Sequence, residues 1–225
     1  MLNTPDKNKL MLYDEIGDSH ISTSTDTPLR EDAFELDDET KVELISKHFK
    51  EIMQIMGLDL TDSSLKGTPD RVANMYVKEV FSGLDPKNKP AITLFDNNYQ
   101  YDEVVMVRDI TFYSMCEHHF VPFFGKAHVA YIPKDKVAGL SKVNRLVQFY
   151  AKRPQVQERL TMQIAKEISE QFGTEDVAVA VEATHLCVAS RGVEDATSST
   201  ITTSFIGKFA TDEYKLQFLT SLKPS

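Results

Sequence analysis

The chain has only two cysteines, Cys116 and Cys187, and each stands beside histidine. Cys116 opens the run Cys116-Glu117-His118-His119, and Cys187 lies two residues past His185. Thiolate and imidazole are the donors that zinc prefers. A fold that uses both cysteines must bring two stretches of backbone together that are far apart in sequence. Two sulfurs exclude the four- and three-cysteine structural sites. That leaves either a Cys2His2 site or a three-ligand site with an open position, and the open kind does chemistry.

His118 and His119 are consecutive, so on a strand they face opposite ways and on a helix they diverge. One metal takes one of them and leaves the other nearby as an acid or base. Cys116 to His119 is a Cys-x-x-His step, the more usual chelating spacing, which favours His119 as the ligand. The alternating run Val177–Val181 leads into His185-Leu186-Cys187. Read as one strand, it places His185 and Cys187 on the same face. The expected ligands are therefore Cys116, His119 and Cys187, with the imidazoles of His118 and His185 around them. A disulfide is disfavoured because nothing points to an oxidising compartment. Inert buried thiols are the ordinary alternative, and without the histidines they would be preferred.

At 225 residues the chain supports one sizeable domain plus an arm. No apolar run is as long as a membrane span, and the N-terminus lacks a basic start followed by an apolar stretch. No membrane partner is expected, and the expected compartment is cytoplasmic. The net charge of −9 argues against nucleic acid as a partner. That charge is uneven. Residues 1–38 carry ten acids against Lys7, Lys9 and Arg30, whereas residues 126–159 hold eight bases against Asp135 and Glu158. A basic cluster just after a metal motif suits an anionic small molecule.

Residues 1–37 are polar and acidic and read as an arm, followed by a catalytic domain over 38–225. His20, in the arm, and His48 read as structural or exposed. From Asp38, apolar residues at three- and four-residue steps predict a helix stopped by Gly57. Thr68-Pro69 predicts the cap and first position of a second helix ending at Gly83. Strands are expected at Ala91–Phe95, Glu103–Tyr113 and Gly125–Ile132. Ser141 is expected to cap a short helix, and Pro154 to open a longer one that Gly173 ends. A strand bearing His185 and Cys187, a Ser/Thr-rich strand near 196–206 and a helix near 212–222 complete the order. The fold class is α+β, an antiparallel sheet with helices packed on one side. Its other face needs a partner, and oligomerisation supplies one.

Neither Gly-x-x-x-x-Gly-Lys-Ser/Thr nor Gly-x-Gly-x-x-Gly occurs, so phosphate would be held by lysine and arginine instead. Ser141, Lys142 and Arg145 at a helix start suit that task, since backbone N–H groups and the helix dipole favour anions there. Gln157 and Glu158 fall in the first turn of the next helix. They either complement its dipole or match the edge of a purine.

Taken together, Ser114-Met115-Cys116-Glu117-His118-His119, Gly139-Leu140-Ser141-Lys142 with Arg145, Arg153–Leu160, His185-Leu186-Cys187 and Arg191-Gly192 resemble the zinc-dependent, bacterial type of GTP cyclohydrolase I. The match runs from about residue 38 to 220 and leaves the arm outside it. The resemblance implies a tunnelling fold assembled into a toroidal homodecamer with active sites between subunits. It implies Zn2+ on Cys116, His119 and Cys187, lowering the pKa of bound water to about 7. It further implies GTP as substrate, attacked at guanine C8, with His118 and His185 as proton donors and acceptors and Ser141 assisting a ribose rearrangement. Gln157 and Glu158 would grip guanine. Lys142, Arg145 and Arg191 would bind triphosphate, with Arg71 reaching in from a neighbouring subunit.

Three other readings compete. Related tunnelling-fold pterin or deazapurine enzymes use other ligand sets, and the double cysteine with Gln157-Glu158 argues against them. A nucleoside deaminase lacks its His-x-Glu and Pro-Cys-x-x-Cys here. A zinc-stabilised assembly protein would fold around metal and leave GTP untouched.

Overall fold

The computed structural model describes residues 24–222. The part of the arm before Ser24, with His20, lies outside the described residues. Helix α1 (Asp38–Ile55) starts where Asp37 accepts a 2.7 Å hydrogen bond from the Thr40 N–H, and it is followed by Gly57 at φ +80°. His48 is exposed on it and sits 3.4 Å from Glu51. Helix α2 (Thr68–Asn74) runs straight into a π-helical turn, Met75–Val80. Its cap residue is Gly67 and not Thr68, which lies with Pro69 inside the first turn. Proline is tolerated there because first-turn N–H groups have no intrahelical partner.

Two β-structures follow. Strand β1 (Leu94–Asp96) pairs with β4 (Lys136–Ala138) as a separate ribbon. The main sheet has five strands in the order β5-β2-β3-β6-β7. These are β2 (Val105–Cys116), β3 (Pro122–Tyr131), β5 (Pro154–Gln155), β6 (Val177–His185) and β7 (Thr200–Ile206). Neighbours from β2 through β3 and β6 to β7 are antiparallel, whereas β5 joins β2 in parallel, so the sheet is not wholly antiparallel. Pro154 therefore does not open a helix. It lies on the sheet edge, where its missing N–H costs no ladder bond. Helix α4 (Gln157–Phe172) begins three residues later and ends at Gly173 in the left-handed region. Helix α3 (Leu140–Ala151) is preceded by Gly139 as cap, with Ser141 in its first turn.

Strand alternation sorts the core into two layers. Phe123, Ala127, Val129 and Tyr131 of β3 and Val177, Val179, Val181 and Ala183 of β6 face α3 and α4. There they meet Leu146, Val147, Leu160, Ile164, Ile168 and Phe172. The intervening Ala130, Ala178 and Ala180 face the other way, toward Phe209 of the 3-10 turn Gly207–Ala210 and Phe218 of the C-terminal helix α6 (Asp212–Ser221). Helices thus cover both faces in part, correcting the one-sided expectation. Among the described residues nothing covers the rest of the second face, where Tyr113 is 65% and Ile201 64% exposed. A bulge at Arg108–Asp109, where Asp109 has φ 57°, keeps β2 in phase with the core: Val105 and Val107 point inward before it, Ile110 and Phe112 after it. Gly125 lets β3 lie against β6, because a Cβ there would come within 1.9 Å of the Glu182 carbonyl oxygen.

Candidate metal centre

Strand β2 ends at Cys116, and the chain turns through Glu117-His118-His119-Phe120 to re-enter the sheet at Pro122. The turn is tied at its neck. The Phe120 N–H donates to the Cys116 carbonyl at 2.8 Å, and the Cys116 N–H donates to the Val121 carbonyl at 2.9 Å. Phe120 takes up a left-handed φ of 51°, and its ring packs on Phe81 at 5.2 Å and on Tyr76 of the π-helical turn at 6.4 Å. The Glu117 N–H donates to the Gln155 carbonyl of the parallel edge strand at 3.0 Å.

The second half of the centre arrives on β6. His185 is in register with Phe123 of β3, and the two rings stack at 4.7 Å with an interplanar angle of 3°. The strand ends at His185, and Cys187 belongs to a short helix, α5 (Leu186–Ala189). Strand alternation therefore does not place Cys187 beside His185, as the sequence pattern suggests; a helical turn delivers the sulfur.

The ligand atoms of Cys116, His119 and Cys187 all lie within 4.8 Å of one another. Zinc–sulfur bonds near 2.3 Å and zinc–nitrogen bonds near 2.0 Å imply ligand separations of roughly 3.4–3.8 Å in a tetrahedral site, so modest closure suffices. His118 Nδ1 and His119 Nδ1 are each 3.8 Å from Cys116 Sγ, but the convergent group contains His119. Both sulfurs are free thiols. Burial, and next the adjoining Cys116, push the Cys187 thiol up to about 11. Holding both sulfurs as thiolates at this separation would take a cation between them, and this donor set fits zinc.

His185 is oriented by Gln157. The Gln157 carboxamide is 2% exposed; its nitrogen donates to the carbonyls of Val181 at 3.0 Å and Thr200 at 2.9 Å. That assigns the carboxamide oxygen to the His185 Nε2 contact at 2.7 Å. The imidazole must then donate from Nε2, which leaves Nδ1 as the lone-pair nitrogen of the neutral ring. Burial holds His185 below its ordinary value, with the exposed Glu158 acting against it. Gln157 is thus turned inward, and the carboxylate of Glu158 is the one that faces out.

The remaining expected residues are spread around this centre. Arg191 is exposed, and its charge acts on the Cys187 thiol. Ser141, Lys142 and Arg145 share the first turns of α3, with Arg145 lining a groove of about 300 Å³ beside Ser82, Asn88 and Lys152. Arg71 is held at the start of α2, where its Nη2 donates to the Ser64 carbonyl at 3.1 Å and to Thr68 Oγ1 at 2.8 Å. The chain gathers Cys116, His118, His119, His185, Cys187 and Gln157, while Ser141, Lys142, Arg145 and Arg71 stand on other elements.

Residues 45–223 match the family model of GTP cyclohydrolase I. The chain belongs to that family. Similar proteins include the GTP cyclohydrolase 1 of Flavobacterium johnsoniae, 55% identical over 99% of this chain and 98% of that protein. That of Citrobacter koseri is 56% identical over 86% of this chain and 87% of its own. That of Salmonella arizonae is 55% identical over 88% and 89%. Among solved structures, an archaeosine synthase QueF-Like in the apo form aligns with 45% of this chain and 92% of its own at a TM-score of 0.35 and 17% identity, a likeness too slight to bear on the fold.

Membership in the GTP cyclohydrolase I family leaves one feature of the centre outside what the motif spacing suggested. Glu117, in the middle of the ligand run, is paired with Arg159, two residues into α4. As a letter between Cys116 and His118, Glu117 looks like a spacer. In the sequence Arg159 stands one position before the apolar row Leu160, Ile164 and Ile168, in a polar row with Gln163 and Glu167, so periodicity gave no signal of its burial.

Proposed function

We propose that this chain opens the imidazole ring of GTP by hydrolysis at guanine C8, releases C8 as formate and closes the product to 7,8-dihydroneopterin triphosphate, the first step of a pterin or tetrahydrofolate synthesis. One water adds to open the ring, a second frees formate, and closure after the ribose rearrangement expels one. The observation that carries the reading is the convergence of Cys116, His119 and Cys187 within 4.8 Å, in a chain of this family, with His118 and His185 beside them.

Cys116, His119 and Cys187 would hold zinc, which when bound supplies Lewis acidity and a water acidic enough to ionise near neutral pH. His185 accepts a proton at Nδ1 because Gln157 keeps its proton on Nε2. His118, exposed at the rim of the turn, serves as the second proton carrier, at N7 and the ribose oxygen. Glu158 grips the donor edge of guanine, with Gln157 behind it. Ser141 assists the ribose rearrangement. Lys142, Arg145 and Arg191 bind the triphosphate, and Arg71 joins them from a neighbouring subunit.

Subunit contacts complete the site. Among the described residues β7 has no strand neighbour along its outer side, and the sheet face bearing Tyr113 and Ile201 is uncovered. Both favour strand pairing between copies, consistent with a toroidal homodecamer. Among the described residues no helix is long and apolar enough to cross a membrane. A soluble nucleotide substrate suits a cytoplasmic enzyme. The test is incubation of zinc-loaded protein with GTP. Formate and a fluorescent pteridine are expected in equal amounts, and zinc-replete protein that leaves GTP intact overturns the reading in favour of an assembly protein.

A further inference from the structure

We infer that Arg159 is a positioning residue for the metal turn, acting through Glu117. Its guanidinium is the junction at which the chain around Ser24 meets the catalytic centre. The inference rests on the zinc reading above and deepens it.

Arg159 is almost wholly enclosed, with its side chain 3% exposed and that of Glu117 13%. The pair is bidentate: Nη1 contacts Oε2, and Nη2 meets Oε1 at 3.2 Å. A forked ion pair removed from water fixes direction as well as distance. Glu117 is also held through its backbone by Gln155, so neither end of the residue can swing. On one side of it lies the ligand Cys116. On the other lies His118, whose Nε2 is 3.9 Å from Glu117 Oε1. Rotation of Glu117 would carry both with it.

The remaining guanidinium nitrogen, Nε, donates to the Ser24 carbonyl at 3.1 Å, and Gln163 one turn further along α4 donates to the Thr25 carbonyl at 3.1 Å. The last part of the acidic arm is therefore fastened to the helix that orients the centre. The first turn of α4 reaches both halves of the site, His185 through Gln157 and the Cys116–His119 turn through Arg159. One rigid element sets the distance between them.

The test uses full-length protein and three readouts: zinc affinity by competition with a chromogenic chelator, thermal midpoint, and steady-state kinetics with GTP. Arg159→Ala should weaken zinc binding by about 10–100-fold, lower kcat by a similar factor and leave KM within about threefold. It should also admit protease cleavage near Ser24. Arg159→Lys should recover part of the zinc affinity. The double variant Glu117→Leu/Arg159→Met replaces the buried pair with apolar bulk and should recover the thermal midpoint. If it holds zinc as tightly as the native chain, the pair is structural only and the inference is overturned. Unchanged zinc affinity in Arg159→Ala overturns it as well. Because zinc affinity is measured without GTP, failure of the GTP reading is distinguishable from failure of this one.

Discussion

The two halves of the candidate metal centre are built on opposite physical plans. The Cys116–His119 turn is held by charge: a buried carboxylate–guanidinium fork, backed by neck hydrogen bonds and the Phe120 ring. The His185–Cys187 junction is held by neutral groups: a carboxamide on His185, a stacked phenyl ring and one helical turn carrying the sulfur. Fixing a ligand by a buried ion pair makes it intolerant of losing one partner, since an unpaired buried charge is costly. Fixing it by an amide and a ring leaves a smaller debt per group, spread over more atoms. The contrast suggests that the turn sets geometry and the junction sets protonation.

The largest effect is expected where both plans fail together. Cys187→Ala should abolish zinc binding and turnover, since two ligands cannot replace three; metal analysis and the formate assay check this. Dialysis against a strong chelator should do the same reversibly, with activity returning on zinc addition. His118→Ala should keep zinc and lower kcat by about 10²–10⁴-fold, the usual weight of a proton carrier. Loss of metal in that variant would move the ligand assignment from His119 to His118 and break the comparison at its first half.

Gly125→Ala attacks the joint between the halves. The new methyl would meet the Glu182 carbonyl oxygen at 1.9 Å, so β3 and β6 must separate. A destabilisation of about 3 kcal/mol is expected by denaturant titration, together with weaker zinc binding. Gln157→Leu sharpens the contrast. It leaves the Val181 and Thr200 carbonyls without their donor and should cost about 1–3 kcal/mol. Zinc affinity should hold while the pH profile of kcat changes, the reverse of Arg159→Ala.

The smallest effect comes from His128, on β3 away from both halves. Burial holds its imidazole below the ordinary value near 6.5, with Asp109 and Glu182 opposing and Arg108 and Lys126 assisting. A histidine whose folded value is depressed favours the neutral form. Its contribution is intact above the unfolded value and is lost as pH falls through that value toward the folded one. Stability should therefore decline below pH 6.5, and His128→Gln should flatten that decline in thermal melts.

The pattern of letters carried most of the elements and the donor set. Val143, Leu146 and Val147 at helical spacing, and the alternation from Val177 to Val181, mark faces that must be buried wherever they lie. The Cys-x-x-His step and the distant cysteine named three candidate donors, whose ligand atoms the fold brings within 4.8 Å of one another. Pro154 misled because proline suits a first helical turn and a sheet edge equally, and pairing with Met115 decides between them. Cys187 misled because alternation cannot say where a strand stops. Glu117 and Arg159 are 42 residues apart, and nothing local to either announces the other.

From the sequence alone came the chemistry available: which donors exist, which helices and strands are amphipathic, and which family the motifs resemble. The tertiary structure decided which groups meet: the fork from Arg159 to Glu117, the tautomer of His185, the helical turn under Cys187 and the second helical layer at Phe218. The reason is one of range. Periodicity and capping act within a few residues and leave a mark in the local letters. The pairing of a buried charge or amide depends on chain segments brought together only when the whole core closes.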